Sequence, residues 1–156
     1  MNLYLVQHAL AMPETEDIQR PLSKRGLNET IRIAGFLSVQ ANLRVSRILH
    51  SDKLRAQQTA EILAEGIEPE GGVSATDGLK PMDDPAVWID RLTAEQTDIM
   101  LVGHLPHLSR LVSRLVCEDE TRTVVTFRNS GVVALGLDDN NAWSVSWVIT
   151  PKLLLQ

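Results

Sequence analysis

Two histidines and one arginine stand where chemistry could be done. His8 ends an apolar run in "LVQHALA", with Gln7 before it and Ala9 behind. His104 ends a second apolar run in "DIMLVGHLP". Arg55 follows a third such run and the pair His50-Ser51, in "RILHSDKLRAQQTA". A neutral imidazole can attack phosphorus and carry the phosphoryl group covalently. An arginine fork bonds two phosphoryl oxygens at once. A second histidine, protonated, would stabilise charge building on the equatorial oxygens. Taken singly, these side chains read as structural or solvated. Taken together at the ends of strand-like runs, they suit phosphoryl transfer. His50 and His107 read as structural.

Periodicity describes the elements that must carry these residues. Leu3 to Gln7 reads as a buried strand. Leu27, Ile31, Ala34, Leu37 and Ala41 recur at helical spacing and predict a helix from about Ser23 to Ala41. Val45 to His50 reads as a second strand. Ser51 is then the expected N-cap of a helix with the apolar stripe Ala56, Ala60, Leu63 and Ile67. A short strand is expected near Val73. "PMDDPAVWIDRL" predicts a helix with Asp83 or Asp84 as cap and Pro85 in its first turn. Asp98 to Gly103 fits a central parallel strand. Pro106 opens another helix, with Leu105, Leu108, Val112 and Leu115 as its core face. The arginines of "RLVSRLV" fall on its outer face.

The C-terminal third is strand-like in "TVVTF", "GVVALGLD" and "AWSVSWVI". Asp138-Asp139-Asn140-Asn141 makes the turn of an antiparallel hairpin. Trp88, Trp143 and Trp147 read as core or edge packing. The expected fold is α/β: a three-layer sandwich with a mostly parallel central sheet and an antiparallel edge, one domain over residues 1–156. Ligands of such sheets bind outside the carboxyl ends of the strands, where Gln7-His8, His50-Ser51 and Gly103-His104 all fall. A helix N-terminus after His104 adds N–H groups suited to an anion.

Four stretches resemble the histidine phosphatase superfamily, and within it the small SixA-type phosphohistidine phosphatases. "LVQHALA" is similar to the strand ending in that family's Arg-His-Gly signature. "RPLSKRG" is similar to the segment that follows it. "HSDKLRAQQTA" is similar to its Ser-Pro-x-x-Arg-Ala-x-Gln-Thr-Ala helix start, and "LVGHLP" to its second-histidine segment. The resemblance covers the chain from end to end and implies a phosphoglycerate-mutase-like fold. It implies that His8 is the nucleophile, that Arg55 and His104 hold the phosphoryl group, and that Arg20 lines the pocket. It implies that Ser51 caps the helix presenting Arg55, and that Gln7 and Ser51 join Arg20 in binding phosphate, Gln7 through a neutral N–H donor. Gln7, Ala9 and Asp52 depart from the family's arginine, glycine and proline. The general acid is Asp83 or Asp84 or absent. Absence fits a phosphoramidate, whose P–N bond has a good leaving group. The alternative is a weak or inactive phosphohistidine-binding module, because Gln7 replaces a cation.

The bulk of the chain narrows the partners. It has 156 residues and a net charge of −5, with 44% apolar and 22% charged residues. An acidic balance argues against generic nucleic-acid binding. The one cysteine, Cys117, excludes an internal disulfide, and no ligand spacing suggests a metal. No secretory leader or apolar run of bilayer length appears, so a cytoplasmic protein with no membrane partner is expected. No cofactor is expected. The expected partner is a phosphorylated protein of the histidine phosphotransfer or phosphocarrier type, or a small phosphorylated substrate, met by a monomer.

Overall fold

A computed structural model describes residues 1–154. The chain alternates strand and helix: β1 (Asn2–Gln7), α1 (Lys24–Gly35), β2 (Arg47–His50), α2 (Leu54–Ile67), β3 (Val73–Ala75), α3 (Ala86–Ala94), β4 (Ile99–Gly103), α4 (His107–Cys117), β5 (Val132–Leu137) and β6 (Trp143–Ile149). One π-helical turn, Phe36–Gln40, extends α1, and a 3-10 turn, Pro151–Leu154, follows β6. The strands form a 6-stranded sheet in the order β3-β2-β4-β1-β5-β6. The first four strands in chain order run parallel, and β5 and β6 add an antiparallel edge.

Period-2 alternation in β1 builds the two layers of core. Tyr4 and Val6 face one way and pack with Ile33, Leu37, Ala56, Ala60 and Leu63 from α1, its extension and α2. Leu3 and Leu5 face the other way and pack with Trp88, Leu92, Leu108 and Leu111 from α3 and α4. Burial on both faces explains the continuous apolar runs of β1 and β4. The stripe expected on α2 is buried throughout.

Three sequence expectations fail locally. Helix α1 does not bury Leu27 and Ile31, which are exposed; it buries Gly26, Thr30, Ile33 and Ala34. Gly26 explains the rotation. A Cβ there would lie 2.1 Å from the Leu10 carbonyl oxygen, so only glycine lets this face dock on the Leu10 backbone. On α4 the core face is Leu108, Leu111 and Val112, while Leu105 stays exposed in the loop before it. "TVVTF" forms no strand and adds to neither outer edge of the sheet, β3 or β6. It packs instead as coil, with Phe127 buried and Val124 and Val125 against the α3–α4 side of the core.

At the far end Asp138 closes the β5–β6 turn, its carboxylate accepting from the Asn140 and Ala142 N–H groups. Trp88 is buried, Trp143 packs at the core's margin, and Trp147 lies on the edge strand against Tyr4. Among the described residues no helix is long and apolar enough to cross a membrane.

Candidate active site

The parallel pairing brings the strand ends together. Gln7 is in register with Gly103, and His50 with Val102. The ladder continues one residue further on each side. The His8 N–H donates to the Gly103 carbonyl at 3.0 Å, and the Ser51 N–H to the Val102 carbonyl at 3.2 Å. His8, Ser51 and His104 therefore leave the same edge of the sheet on neighbouring strands. The His8 and His104 rings lie 5.0 Å apart, centroid to centroid.

The backbone places the proton on His8. Its Nδ1 lies 2.7 Å from the Ala9 carbonyl oxygen, which can only accept. Nδ1 thus carries the hydrogen, and Nε2 keeps its lone pair. Arg55 Nε donates toward that Nε2 at 3.4 Å. Burial lowers the His8 pKa to about 4; the Ala9 bond opposes this, and Arg55 and Arg20 add to it. His104 is buried, and its Nε2 lies 2.5 Å from the Ser51 hydroxyl. Burial, then His8, Arg55 and Lys53, lower its pKa to about 3 against a contrary pull from Asp52. The protonated second histidine expected from the sequence is thus neutral in the free protein.

The motif "RAQQTA" resolves residue by residue. Arg55 faces His8. Ala56 and Ala60 enter the core. Gln58 Oε1 accepts the Leu22 N–H at 2.8 Å, fastening the segment after Arg20. The Thr59 hydroxyl accepts the Ala9 N–H at 2.9 Å and donates to the Arg55 carbonyl at 2.7 Å. One buried hydroxyl thus joins the loop of His8 to the turn of Arg55.

Arg20 Nε donates to the Met12 carbonyl at 3.1 Å, and the Arg20 charge reaches both His8 and Arg55. It is a loop anchor and a neighbour of the pocket at once. Gln7 ends β1 with its side-chain Oε1 buried and without a partner among the described residues. Ser51 is displaced from its expected role: Lys53 is the N-cap of α2, and the Ser51 hydroxyl is turned to His104. Asp83 and Asp84 are engaged elsewhere. Asp83 accepts the Lys80 N–H, and Asp84 accepts the Ala86 N–H at the start of α3 and pairs with Arg114 at 3.3 Å. His50 is buried, with Nδ1 donating to the Ser51 carbonyl. His107 is fully buried on α4.

Two contributors escape a reading of the sequence. Asn129 Nδ2 donates to the His8 carbonyl at 2.8 Å, and the Ser130 N–H donates to the Gln7 carbonyl at 3.0 Å. The polar run "RNSG" directly before β5 was the available signal. Among the described residues no group of three His, Cys, Asp or Glu side chains could hold a metal ion.

No family model matches the chain. It is 30% identical over 150 residues to an uncharacterized protein of Picosynechococcus sp. (strain ATCC 27264 / PCC 7002 / PR-6), covering 86% of this chain and 84% of the relative. Among solved structures it is similar to the protein histidine phosphatase SixA complexed with tungstate. That match has a TM-score of 0.86 and 26% identity, covering 99% of this chain and 100% of the other. The alpha-ribazole phosphatase from Shigella flexneri shares the fold, with a TM-score of 0.80 and 15% identity over 97% of each chain.

Proposed function

We propose that this chain, which belongs to the histidine phosphatase superfamily, hydrolyses the phosphoryl group of protein phosphohistidine through a covalent intermediate on His8. One observation carries the reading. The Ala9 carbonyl fixes the His8 tautomer so that the Nε2 lone pair faces Arg55. Burial keeps that nitrogen unprotonated at neutral pH. The Nε2 pair attacks phosphorus, and the P–N bond of the substrate breaks. The leaving imidazole departs neutral when its far nitrogen already carries a proton, so it needs no acid from the protein. Water then attacks phosphorus on His8 and releases phosphate.

Arg55 and Arg20 supply charge to the phosphoryl oxygens, and His104 closes the opposite side. An arriving phosphoryl dianion favours the charged form of His104 and opposes the effect of burial. Asp83 is held by the Lys80 N–H and Asp84 by the start of α3 and Arg114, which supports a substrate that leaves without acid assistance.

Phosphate release from phosphoramidate and from a histidine-phosphorylated protein tests the proposal. His8→Ala should abolish release from both, and the wild type should retain radiolabelled phosphate on His8 after acid-free quenching. Equal release by the two proteins overturns it. A second reading, a phosphohistidine-binding module with slow turnover, is favoured by Gln7, a neutral amide where the family carries an arginine.

A further inference from the structure

Beside the catalytic edge lies an open groove of about 560 Å³ lined by Leu10, Arg25, Glu29, Arg128, Asn129 and Lys152, among others. It adjoins the candidate active site through two of these residues. Leu10 follows Ala9 in the loop that His8 opens, and Asn129 holds the His8 carbonyl at 2.8 Å. Its charge runs against the rest of the molecule. The chain is net negative, yet the groove carries three cations and one carboxylate. That carboxylate, Glu29, accepts Arg25 Nε at 2.8 Å. Arg128 and Lys152 have no carboxylate partner among the described residues. Lys24, Arg32 and Arg44 also have none; what sets Arg128 and Lys152 apart is that they share one concavity beside the loop of His8. Long cations left unpaired in a concave surface present a positive field to whatever docks there.

We infer that this groove is a docking subsite for acidic side chains flanking the phosphohistidine of a protein substrate, with Arg128 and Lys152 as its specificity determinants. The inference rests on the phosphohistidine reading above and deepens it. A small phosphoramidate fills the phosphoryl pocket alone and does not reach the groove. A protein that presents its phosphohistidine to His8 lays the neighbouring surface across Leu10 and Asn129. Carboxylates on that surface then meet Arg128 and Lys152. Exposed charge pairs of this kind act mainly on capture and on partner choice.

Two phosphohistidine peptides, one flanked by glutamates and one by serines, test this against phosphoramidate as the small-substrate control. The wild type should favour the Glu-flanked peptide in kcat/KM by about tenfold at low salt, and lose that preference in about 0.5 M salt. Arg128→Glu with Lys152→Glu should abolish the preference and leave phosphoramidate hydrolysis unchanged. Arg128→Gln with Lys152→Gln should weaken it in the same direction and serves where the charge reversal impairs folding. Equal use of both peptides by the wild type overturns the inference, as does a preference that survives in the variants. Failure to turn over either peptide, with phosphoramidate still hydrolysed, counts against the phosphohistidine reading. Direct binding of a fluorescent, unphosphorylated Glu-flanked peptide then decides the groove. Tighter binding to the wild type than to the double variant supports it, and equal binding overturns it.

Discussion

A carbonyl oxygen decides which nitrogen of His8 reacts. Because the Ala9 carbonyl takes the Nδ1 hydrogen at 2.7 Å, Nε2 is the basic atom and points along the Arg55 side chain. Ala9 is held in turn by Thr59, and the His8 carbonyl by Asn129. The nucleophile is thus oriented by three neighbours, none of which need touch the phosphoryl group. Gln7 is the weak member of the set. A neutral amide gives the pocket one dipole where a guanidinium would give a charge and a fork of donors. Gln7→Arg should therefore raise kcat/KM for phosphoramidate by about tenfold or more, since a single aimed donor is typically worth ~10²–10³ in rate. Steady-state kinetics and inhibition by inorganic phosphate check it. An unchanged rate would mean that the amide already serves, and would remove the main argument for a binding module. His8, Arg55 and His104 were legible because each follows an apolar run or a recognisable helix start. Asn129 was not, since nothing local distinguishes an asparagine that reaches back to His8 across the sheet from one in any polar turn.

At the scale of elements, the site depends on how closely α1 approaches the loop after β1. The strands were legible because two-sided burial leaves an unbroken apolar run. The face of α1 was not legible from apolar spacing, because its contact is made by a glycine and a threonine. Ser23 caps the helix by accepting the Gly26 N–H at 3.0 Å, and the Thr30 hydroxyl donates to the Gly26 carbonyl at 2.8 Å. Helix propensity alone says that Gly26→Ala should stabilise by about 1 kcal/mol. Packing says the reverse. The added methyl would stand 2.1 Å from a backbone oxygen that has no rotamer to yield. The clash should dominate, since overpacking that moves backbone costs about 1–3 kcal/mol or more. Gly26→Ala should lower the urea midpoint and reduce turnover as well, because the displaced Leu10 lies in the loop that His8 opens. Denaturant titration with a parallel phosphoramidate assay checks both; an unaltered or raised midpoint contradicts the docking argument. The segment "TVVTF" failed for the complementary reason: strand propensity does not report that Phe127 is buried, and Val124 and Val125 packed, against the α3–α4 side of the core as coil, with no strand partner.

For the whole molecule, three histidines tie the fold to pH. His8 and His107 have pKa values near 4 and His104 near 3, all lowered first by burial from an ordinary value of 6.5. Around His107, Asp83 and Asp84 pull the value up and Arg110 pushes it down, and burial exceeds all of them. In the unfolded chain these rings take up protons as pH falls through 6.5, while the folded chain resists until about 4. The unfolded state therefore binds more protons over that window, and stability rises with pH across it. The contribution is complete above pH 6.5 and is lost as pH falls through 4. A pKa lowered from 6.5 to about 4 corresponds to roughly 3 kcal/mol at full development, against a typical total stability of ~5–15 kcal/mol. His8 and His104 are neighbours, so their losses do not add simply. His107 is the cleaner probe. It is fully buried, and neither ring nitrogen has a partner among the described residues. His107→Leu replaces an unsatisfied polar ring by an apolar side chain of smaller but comparable size. It should raise stability by about 1–2 kcal/mol at pH 7. The gain should grow toward pH 5, because the variant no longer has that proton to take up on unfolding. Urea unfolding at both pH values measures the difference, and a gain that shrinks on acidification would show that His107 is not held neutral by the fold.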